Sequence, residues 1–130
     1  MFKISNKLKQ FFEWNRLQTD LNRRLDASLN GLSLNEFIIL YHLNQSQDQK
    51  LRRIDLAEKV GLTASGITRL LLPMEKIGLI KKEVNERDAR SSFVLLAKGG
   101  REKLKESIER AELFCEEKLN KNVKNLALFK

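Results

Sequence analysis

Polar side chains able to contact a phosphate or a base are concentrated in the segment TASGITR, residues 63–69. Serine and threonine hydroxyl groups are followed there by the guanidinium group of an arginine. Both kinds of group donate hydrogen bonds to phosphate oxygens and to the edges of bases, so the segment indicates contact with a nucleic acid. The candidate residues for that contact are Thr63, Ala64, Ser65, Gly66, Thr68 and Arg69.

The residues around this segment have the pattern of a helix-turn-helix motif. Ala57 is a small residue where two helices must cross, and Gly61, four positions later, can reverse the chain at the turn. Thr63 can cap the second helix, which then presents the candidate residues on its first turns. In such a motif the N-terminal part of the second helix enters the major groove of DNA. The alternative interpretation is a helical corner that packs only on itself.

A second set of charged side chains lies in the polar run NERDAR, residues 85–90. This run separates two strand-like segments, residues 79–84 and 92–96, and is therefore predicted to form the tip of a β-hairpin. A charged hairpin tip is commonly a solvated turn, but beside a helix-turn-helix motif a basic tip can enter the narrow minor groove. The candidates at the tip are Arg87, Asp88 and Arg90.

Catalytic chemistry has little support in this sequence. The single histidine, His42, and the single cysteine, Cys115, are far apart on predicted helices, so they form neither a metal cluster nor a nucleophile with its base. A glycine-rich phosphate loop is also absent from the sequence. We therefore expect no enzymatic activity, no metal and no cofactor. Cys115 lies on an apolar stripe, where an inert interface cysteine is favoured over a redox sensor.

The composition favours a folded protein with an anionic partner. The 130 residues include 25 Lys and Arg against 17 Asp and Glu, a net charge of +8, and 42% are hydrophobic, which is enough for a core. Basic residues are interleaved with acidic ones, so a binding surface must be assembled by folding. The single cysteine, and the lack of a signal peptide or an apolar run of transmembrane length, predict a cytoplasmic protein without membrane contact.

The spacing of apolar residues predicts a mainly helical chain with a small β-wing. A long amphipathic helix is expected at residues 5–29, and a second helix begins after Ser33 with a capping box completed by Glu36. The further predicted elements are a short strand at residues 50–53, helices at 54–60 and 64–77, strands at 79–84 and 92–96, and a last helix at 98–120.

Pro73 lies inside the second helix of the motif, where proline is costly. Apolar residues keep their helical spacing beyond it to Ile77, so we predict that Pro73 bends the helix and that Gly78 ends it. Such a bend would let residues 64–69 reach a groove while the rest of the helix stays packed.

Residues 56–100 resemble the MarR family of bacterial and archaeal winged-helix transcription regulators. The matching motifs are Leu56-Ala57, Thr68-Arg69, Met74-Glu75-Lys76-Ile77-Gly78-Leu79, Asp88-Ala89-Arg90 and Leu96-Ala97-Lys98-Gly99-Gly100. The chain departs from the family pattern at Gly66, where relatives commonly have Ser or Thr. It also departs at Ile54 and Ala97, where a capping Ser or Thr is usual, so both helix starts are expected to be poorly capped.

The resemblance implies a winged helix-turn-helix DNA-binding domain at residues 33–97, flanked by dimerisation helices at residues 1–32 and 98–130, the last of them short. It further implies a homodimer on a palindromic site in double-stranded DNA. Such a protein is a sequence-specific regulator of transcription, commonly a repressor. The apolar stripes on the terminal helices suit an interface between subunits.

Many members of the family bind small, often aromatic, anionic molecules between the dimer arms and the winged helix. The candidates for such a cleft in this chain are Phe11, Phe12, Trp14, Arg16, Tyr41 and His42. Aromatic residues on helices are, however, more often plain core. Two alternative functions stay open: a winged-helix protein-interaction module without DNA binding, and a ligand or redox sensor with weak affinity for DNA.

Overall fold

The computed structural model describes residues 1–84, 87 and 92–119. Two of the three predicted residues of the hairpin tip, Asp88 and Arg90, lie outside these described residues. The helices are α1 (Asn6–Ser28), α2 (Leu34–Gln45), α3 (Arg53–Val60), α4 (Ala64–Lys76) and α5 (Lys98–Phe114). The strands are β1 (Lys50–Arg52), β2 (Ile80–Glu83) and β3 (Phe93–Leu96). A 3-10 turn, Gln47–Gln49, precedes β1, and a π-helical turn, Cys115–Leu119, extends α5.

Side chains cap the starts of the first two helices. The capping box predicted at Ser33 is confirmed, because its hydroxyl accepts a hydrogen bond from the Glu36 amide at 3.2 Å. The Glu36 carboxylate in turn accepts one from the Ser33 amide at 2.9 Å. Ser5 caps α1 in a similar way, accepting from the amide of Leu8 at 3.1 Å. Each cap satisfies an amide that the helix itself leaves unpaired.

The starts of α3 and α5 have no side-chain cap. Arg52 precedes α3 and Ala97 precedes α5, and neither side chain accepts a hydrogen bond from its helix. The predicted lack of a cap at Ala97 is confirmed. The predicted position of the uncapped start of α3, Ile54, is wrong, because the residue that precedes the helix is Arg52. Strand β1 ends at Arg52 and the helix follows at once, so Ile54 is already in the first turn.

The three strands form one antiparallel sheet in the order β1-β3-β2. In the central strand, Leu95 pairs with Lys50 of β1 and with Lys81 of β2. Val94 and Leu96 are buried against the helices, and the two residues that alternate with them are half-buried on the other face. A mainly helical chain with this small sheet confirms the fold class predicted from the sequence.

The core lies between α2, the two helices of the motif, the sheet and α5. Helix α2 is at its centre, with Ile39, Leu40 and Leu43 fully buried. The other fully buried aliphatic side chains are Leu29, Leu56, Ile67, Leu71, Met74 and Ile80. Each such side chain contributes about 1.5–3 kcal/mol relative to an exposed one, so the two helices of the motif are held rigidly to the rest of the domain.

Two consecutive glycines allow α5 to start directly against the end of α4. An added Cβ at Gly100 would overlap the carbonyl oxygen of Leu79, and one at Gly99 would lie 2.8 Å from the carbonyl oxygen of Gly78. The same Leu79 carbonyl accepts a hydrogen bond from the Ala97 amide at 3.1 Å. The backbones of the two segments therefore touch, and a side chain at position 100 has no space.

We predict that Gly100→Ala lowers the free energy of unfolding by about 1–3 kcal/mol, the usual cost of overpacking. The methyl group meets a backbone carbonyl, so relief requires α5 to shift. Urea denaturation monitored by circular dichroism measures the loss. Gly66→Ala is the matched control, since its Cβ would meet side-chain atoms rather than backbone, the Thr63 hydroxyl at 3.1 Å and Leu62 Cβ at 3.8 Å. Equal stabilities for Gly100→Ala and wild type would contradict the close packing.

Candidate nucleic-acid interface

The turn between α3 and α4 is built as the sequence predicts. Gly61 has a φ of +81°, in the left-handed region that favours glycine. Its amide and that of Leu62 both donate to the carbonyl of Ala57, at 2.9 Å each, and Ala57 itself is buried. Thr63 then starts α4, its hydroxyl accepting a hydrogen bond from the Gly66 amide at 3.0 Å. The predicted turn and cap are both confirmed.

Helix α4 has one buried and one exposed face. The buried stripe consists of Ile67, Leu71 and Met74. On the opposite face Ser65, Arg69 and Leu72 follow at steps of four and three and are exposed, Leu72 to 47%. Within the part of the chain that the structure describes, the Arg69 guanidinium has no hydrogen-bond or ion-pair partner. The first half of α4 therefore presents a hydroxyl and a cationic donor to the surrounding solution.

The hydroxyl groups of the segment also make contacts within the motif. The Thr63 and Ser65 hydroxyls lie 3.2 Å apart, and either can be the donor. The Thr68 hydroxyl donates to the Ala64 carbonyl at 2.9 Å and accepts from Nη1 of Arg53 at 3.3 Å. Arg53 was missed by sequence reasoning, since a contact between residues 15 positions apart depends on how the two helices cross.

Gly66 occupies a different place from the other candidates of α4. It is half-buried at the junction with the turn, and a Cβ there would lie 3.1 Å from Thr63 Oγ1 and 3.8 Å from Leu62 Cβ. A side chain at this position would press against the residue that caps the helix. Glycine here spares the cap of Thr63, at the cost of a weaker helix.

The sequence predicts that α4 continues past Pro73, and the structure confirms this. The helix continues to Lys76, and the Pro73 carbonyl accepts a hydrogen bond from the amide of Ile77 at 3.2 Å. Gly78 then takes a left-handed φ of +81°, and the Leu79 amide donates to the carbonyl of Met74 at 2.9 Å. This arrangement closes the helix and directs the chain into β2.

The hairpin that follows lies beside the motif. Arg87 is exposed, and the predicted partners at the tip, Asp88 and Arg90, lie outside the described residues. Nearer its base, Lys50 Nζ lies 4.8 Å from the ring centroid of Phe93 and 3.6 Å from the Glu83 carboxylate, and the Arg52 guanidinium lies 6.0 Å from the same centroid. The aromatic ring holds both cations close to the sheet.

The residues predicted to line a ligand cleft fall into two groups. Phe11 and Trp14 contact each other on α1, with ring centroids 6.1 Å apart, and Arg16 bonds to the Glu13 carboxylate on the same helix. Tyr41 and His42 form an edge contact on α2, with ring centroids 5.4 Å apart. Each group is held within its own helix by neighbours in sequence.

A pocket of about 520 Å³ lies elsewhere, between the second half of α1 and the end of α5. None of the residues predicted for a cleft lines it. The lining residues are Arg24, Ala27, Ser28, Arg110, Leu113, Phe114, Glu117 and Lys118. Three cationic side chains and one carboxylate thus line the pocket together with apolar side chains. The Arg110 guanidinium also lies 3.5 Å from the Glu106 carboxylate and donates to the Ser28 carbonyl at 3.5 Å.

Comparison with known proteins shows which family of domains this segment resembles. The MarR family model matches residues 32–92, the segment from the start of α2 to the wing. Residues 32–92 therefore carry a MarR domain. A curated relative, the helix-turn-helix-type transcriptional regulator YdgJ of Bacillus subtilis, is 30% identical over 81 residues. That alignment covers 62% of this chain and 46% of the relative, so the chain matches about half of the relative's length.

Solved MarR structures share the fold over nearly the whole chain. The transcriptional regulator BldR of Sulfolobus solfataricus is 25% identical, with a TM-score of 0.78, and the match covers 98% of this chain and 93% of BldR. The transcriptional repressor CouR, bound to a 23-mer DNA duplex, is 17% identical, with a TM-score of 0.78 and coverage of 98% and 94%. CouR of Rhodococcus jostii RHA1 has also been solved with p-coumaroyl-CoA (19% identical, TM-score 0.73, coverage 89% and 84%).

The described residues contain no group of His, Cys, Asp and Glu side chains that could hold a metal ion. No described helix is both long enough and apolar enough to cross a lipid bilayer.

The pKa of His42 is lowered from its ordinary value of 6.5, chiefly by burial and further by the positive charge of Lys59 on α3. The unfolded chain therefore binds the His42 proton more tightly than the folded chain does. We predict that the stability of this MarR domain is highest above pH 6.5 and decreases as the pH falls below that value.

Urea denaturation between about pH 7.5 and about pH 5.5 measures this dependence, in a range where carboxylates stay ionised. His42→Gln is the control and should show a flatter profile, because the substituted side chain does not titrate. A wild-type stability that stays constant or rises over this range would contradict the prediction.

Proposed function

We propose that this chain is a sequence-specific DNA-binding regulator of transcription, acting as a repressor in the cytoplasm. It binds a palindromic operator as a homodimer, with residues 63–69 of each subunit in the major groove. The observation that carries this proposal is the exposed face of α4, where Ser65 and the guanidinium of Arg69, which has no partner among the described residues, project together from a rigid, capped motif.

The charge of the protein supports a polyanionic partner. The net charge is +8, and the basic residues are interleaved with acidic ones rather than gathered in a separate tail. Cations that neutralise phosphates supply most of the affinity for DNA that does not depend on sequence. The structure of CouR on a DNA duplex, which has the same fold, supports the same use of this domain.

The wing supplies the second proposed contact. We place Arg87 and Arg90 in the minor groove beside the groove that α4 reads, with Asp88 bracing Arg90. Arginine is favoured there because the narrow minor groove has an enhanced negative potential. The direction in which Gly78 sends the chain into β2 supports this arrangement, since the hairpin starts where the reading helix ends.

Exposed apolar side chains support the homodimer. On α1, Leu8, Phe11 and Phe12 recur at helical spacing and are exposed, the two phenylalanines to 55% each. On α5, Ile108 and Leu113 are exposed as well. Apolar stripes of this kind on the exposed faces of the two helices that flank the winged helix-turn-helix are typical of a surface that a second subunit covers.

Release from DNA by a small ligand is the remaining part of the proposal. The pocket between α1 and α5 is lined by three cationic side chains, one carboxylate and several apolar side chains, which supports a small aromatic anion as the ligand, and CouR binds p-coumaroyl-CoA. A shift in melting temperature on addition of aromatic acids tests this point. If binding is found, substitutions of Arg24 and Arg110, which line the pocket, are compared with substitutions of the predicted cleft residues Phe11, Trp14, Arg16, Tyr41 and His42, which do not line it.

The direct test of function is selection of bound sequences from random DNA, followed by gel-shift titration of the selected fragment. We expect a palindromic consensus. Failure to shift any fragment at low salt would instead favour a protein-interaction module without DNA binding.

We predict that Arg69→Ala weakens binding to the selected fragment by about tenfold and lowers the salt slope by about one unit. The reason is the loss of one cationic donor at the groove. Fluorescence anisotropy at several salt concentrations measures both quantities. Arg23→Ala on α1 is the matched control: it removes the same charge from an exposed arginine that is paired with Asp20 on its own helix. Equal affinities for both variants would contradict the placement of Arg69.

We predict that Phe12→Ala raises the dissociation constant of the homodimer by at least about a hundredfold. The substitution occurs in both subunits, and each buried phenylalanine contributes about 1.5–3 kcal/mol. Sedimentation equilibrium measures the constant, and Thr19→Ala, on an exposed polar position of the same helix, is the control. A protein that is monomeric in wild-type form, or unchanged in Phe12→Ala, would remove this surface from the interface.

A further inference from the structure

Arg53 is a cationic side chain of the motif for which the family resemblance and the comparisons give no role. It is the first residue of α3, it is exposed, and its Nη1 atom donates to the Thr68 hydroxyl on α4 at 3.3 Å. In the part of the chain that the structure describes, this hydroxyl is the one hydrogen-bond or ion-pair partner of Arg53. The guanidinium group is thus held against the reading helix with further N–H donors left over.

The bonding of Thr68 limits what its hydroxyl can do. Its single proton is donated to the Ala64 carbonyl at 2.9 Å, so toward Arg53 the oxygen is an acceptor. A phosphate oxygen also only accepts hydrogen bonds. While the hydrogen bond to Ala64 persists, the Thr68 hydroxyl has no proton to donate to a phosphate. The adjacent guanidinium group of Arg53 has N–H protons that it can donate.

The position of Thr68 on α4 indicates which part of DNA would meet this pair. Thr68 is half-buried on the flank of the helix, between the exposed stripe of Ser65 and Arg69 and the buried stripe of Ile67 and Leu71. A helix about 10–12 Å wide fills a major groove about 12 Å wide. Its outermost face then meets the base edges, and its flanks face the phosphate walls.

We propose that Arg53 contacts a DNA phosphate at the wall of the major groove and that Thr68 is its positioning residue. This inference rests on the proposed function and adds a contact to the same interface. Because the first helix of a helix-turn-helix crosses the DNA backbone, a guanidinium group at the start of α3 is well placed for a phosphate. The bond from Arg53 to Thr68 reduces the side-chain freedom that would otherwise be lost on binding.

The neighbouring arginine offers a matched control. Arg52 is also exposed and carries the same charge, but its guanidinium lies 6.0 Å from the ring centroid of Phe93, on the outer face of the sheet. Removing either arginine changes the net charge of the protein equally. A difference between the two variants therefore reports the local contact rather than the general electrostatic attraction.

The test uses the full chain and the DNA fragment obtained by selection, with affinities measured by fluorescence anisotropy over a range of salt concentrations. Arg53→Ala is expected to bind about tenfold more weakly and to lower the salt slope by about 0.9, the value for one phosphate contact. Arg53→Lys should keep the slope, because it keeps the charge. A loss in Arg53→Ala no larger than that in Arg52→Ala would overturn the proposal.

The role of Thr68 is tested by a double-mutant cycle with Thr68→Val, which removes the hydroxyl and keeps the shape of the side chain. We expect Thr68→Val to weaken binding in the wild-type background and to have little further effect in Arg53→Ala. Thr68→Ser, which keeps the hydroxyl, should bind like wild type. An equal loss in both backgrounds would mean that Thr68 acts without Arg53 and would overturn its assignment as a positioning residue.

Melting temperatures of all variants separate folding from binding, and Arg53→Lys provides a second variant if Arg53→Ala is unstable. Failure of this inference is distinguishable from failure of the proposed function. If the wild-type protein shifts no DNA at low salt, both are wrong. If it binds DNA and Arg53→Ala binds equally well at every salt concentration, only the contact of Arg53 is wrong.

Discussion

The start of α5 can lie against the end of α4 only because positions 99 and 100 carry no side chains. That backbone contact joins two parts of the molecule with different tasks. On one side, Gly78 and Leu79 follow the end of α4 and lead into β2; on the other, α5 continues to the exposed side chains of Ile108 and Leu113. With no side chain between them to absorb movement, a displacement of α5 is transmitted to the base of the wing.

The same rigidity explains how the exposed face of α4 is kept in place. Ile67, Leu71 and Met74 are anchored in the aliphatic core around α2, so the opposite face has a fixed direction. The Thr63 cap fixes where the helix begins, and the left-handed Gly61 fixes the angle at which it leaves α3. Few degrees of freedom remain for the side chains on the exposed face of α4, so less conformational entropy is lost when they bind a partner.

Much of this could be predicted from the sequence because it depends on neighbours in the chain. Caps such as Ser33 with Glu36, the turn at Gly61 and the helix end at Gly78 involve residues within a few positions of one another. The crowding at Gly100 and the bond from Arg53 to Thr68 join distant segments, and only the packing of the helices decides them. The aromatic cleft residues illustrate the same limit, because a list of suitable side chains does not say which helices bring them together.

Pro73 has a consequence for the local stability of α4. Proline has no amide hydrogen, so the carbonyl of Arg69 lacks its partner within the helix, and the ladder of backbone hydrogen bonds is interrupted there. The turns before and after the gap can then open separately, each with its own free energy. Amide hydrogen exchange would show two levels of protection inside one helix. Each half is anchored by its own buried side chain, Ile67 before the gap and Met74 after it.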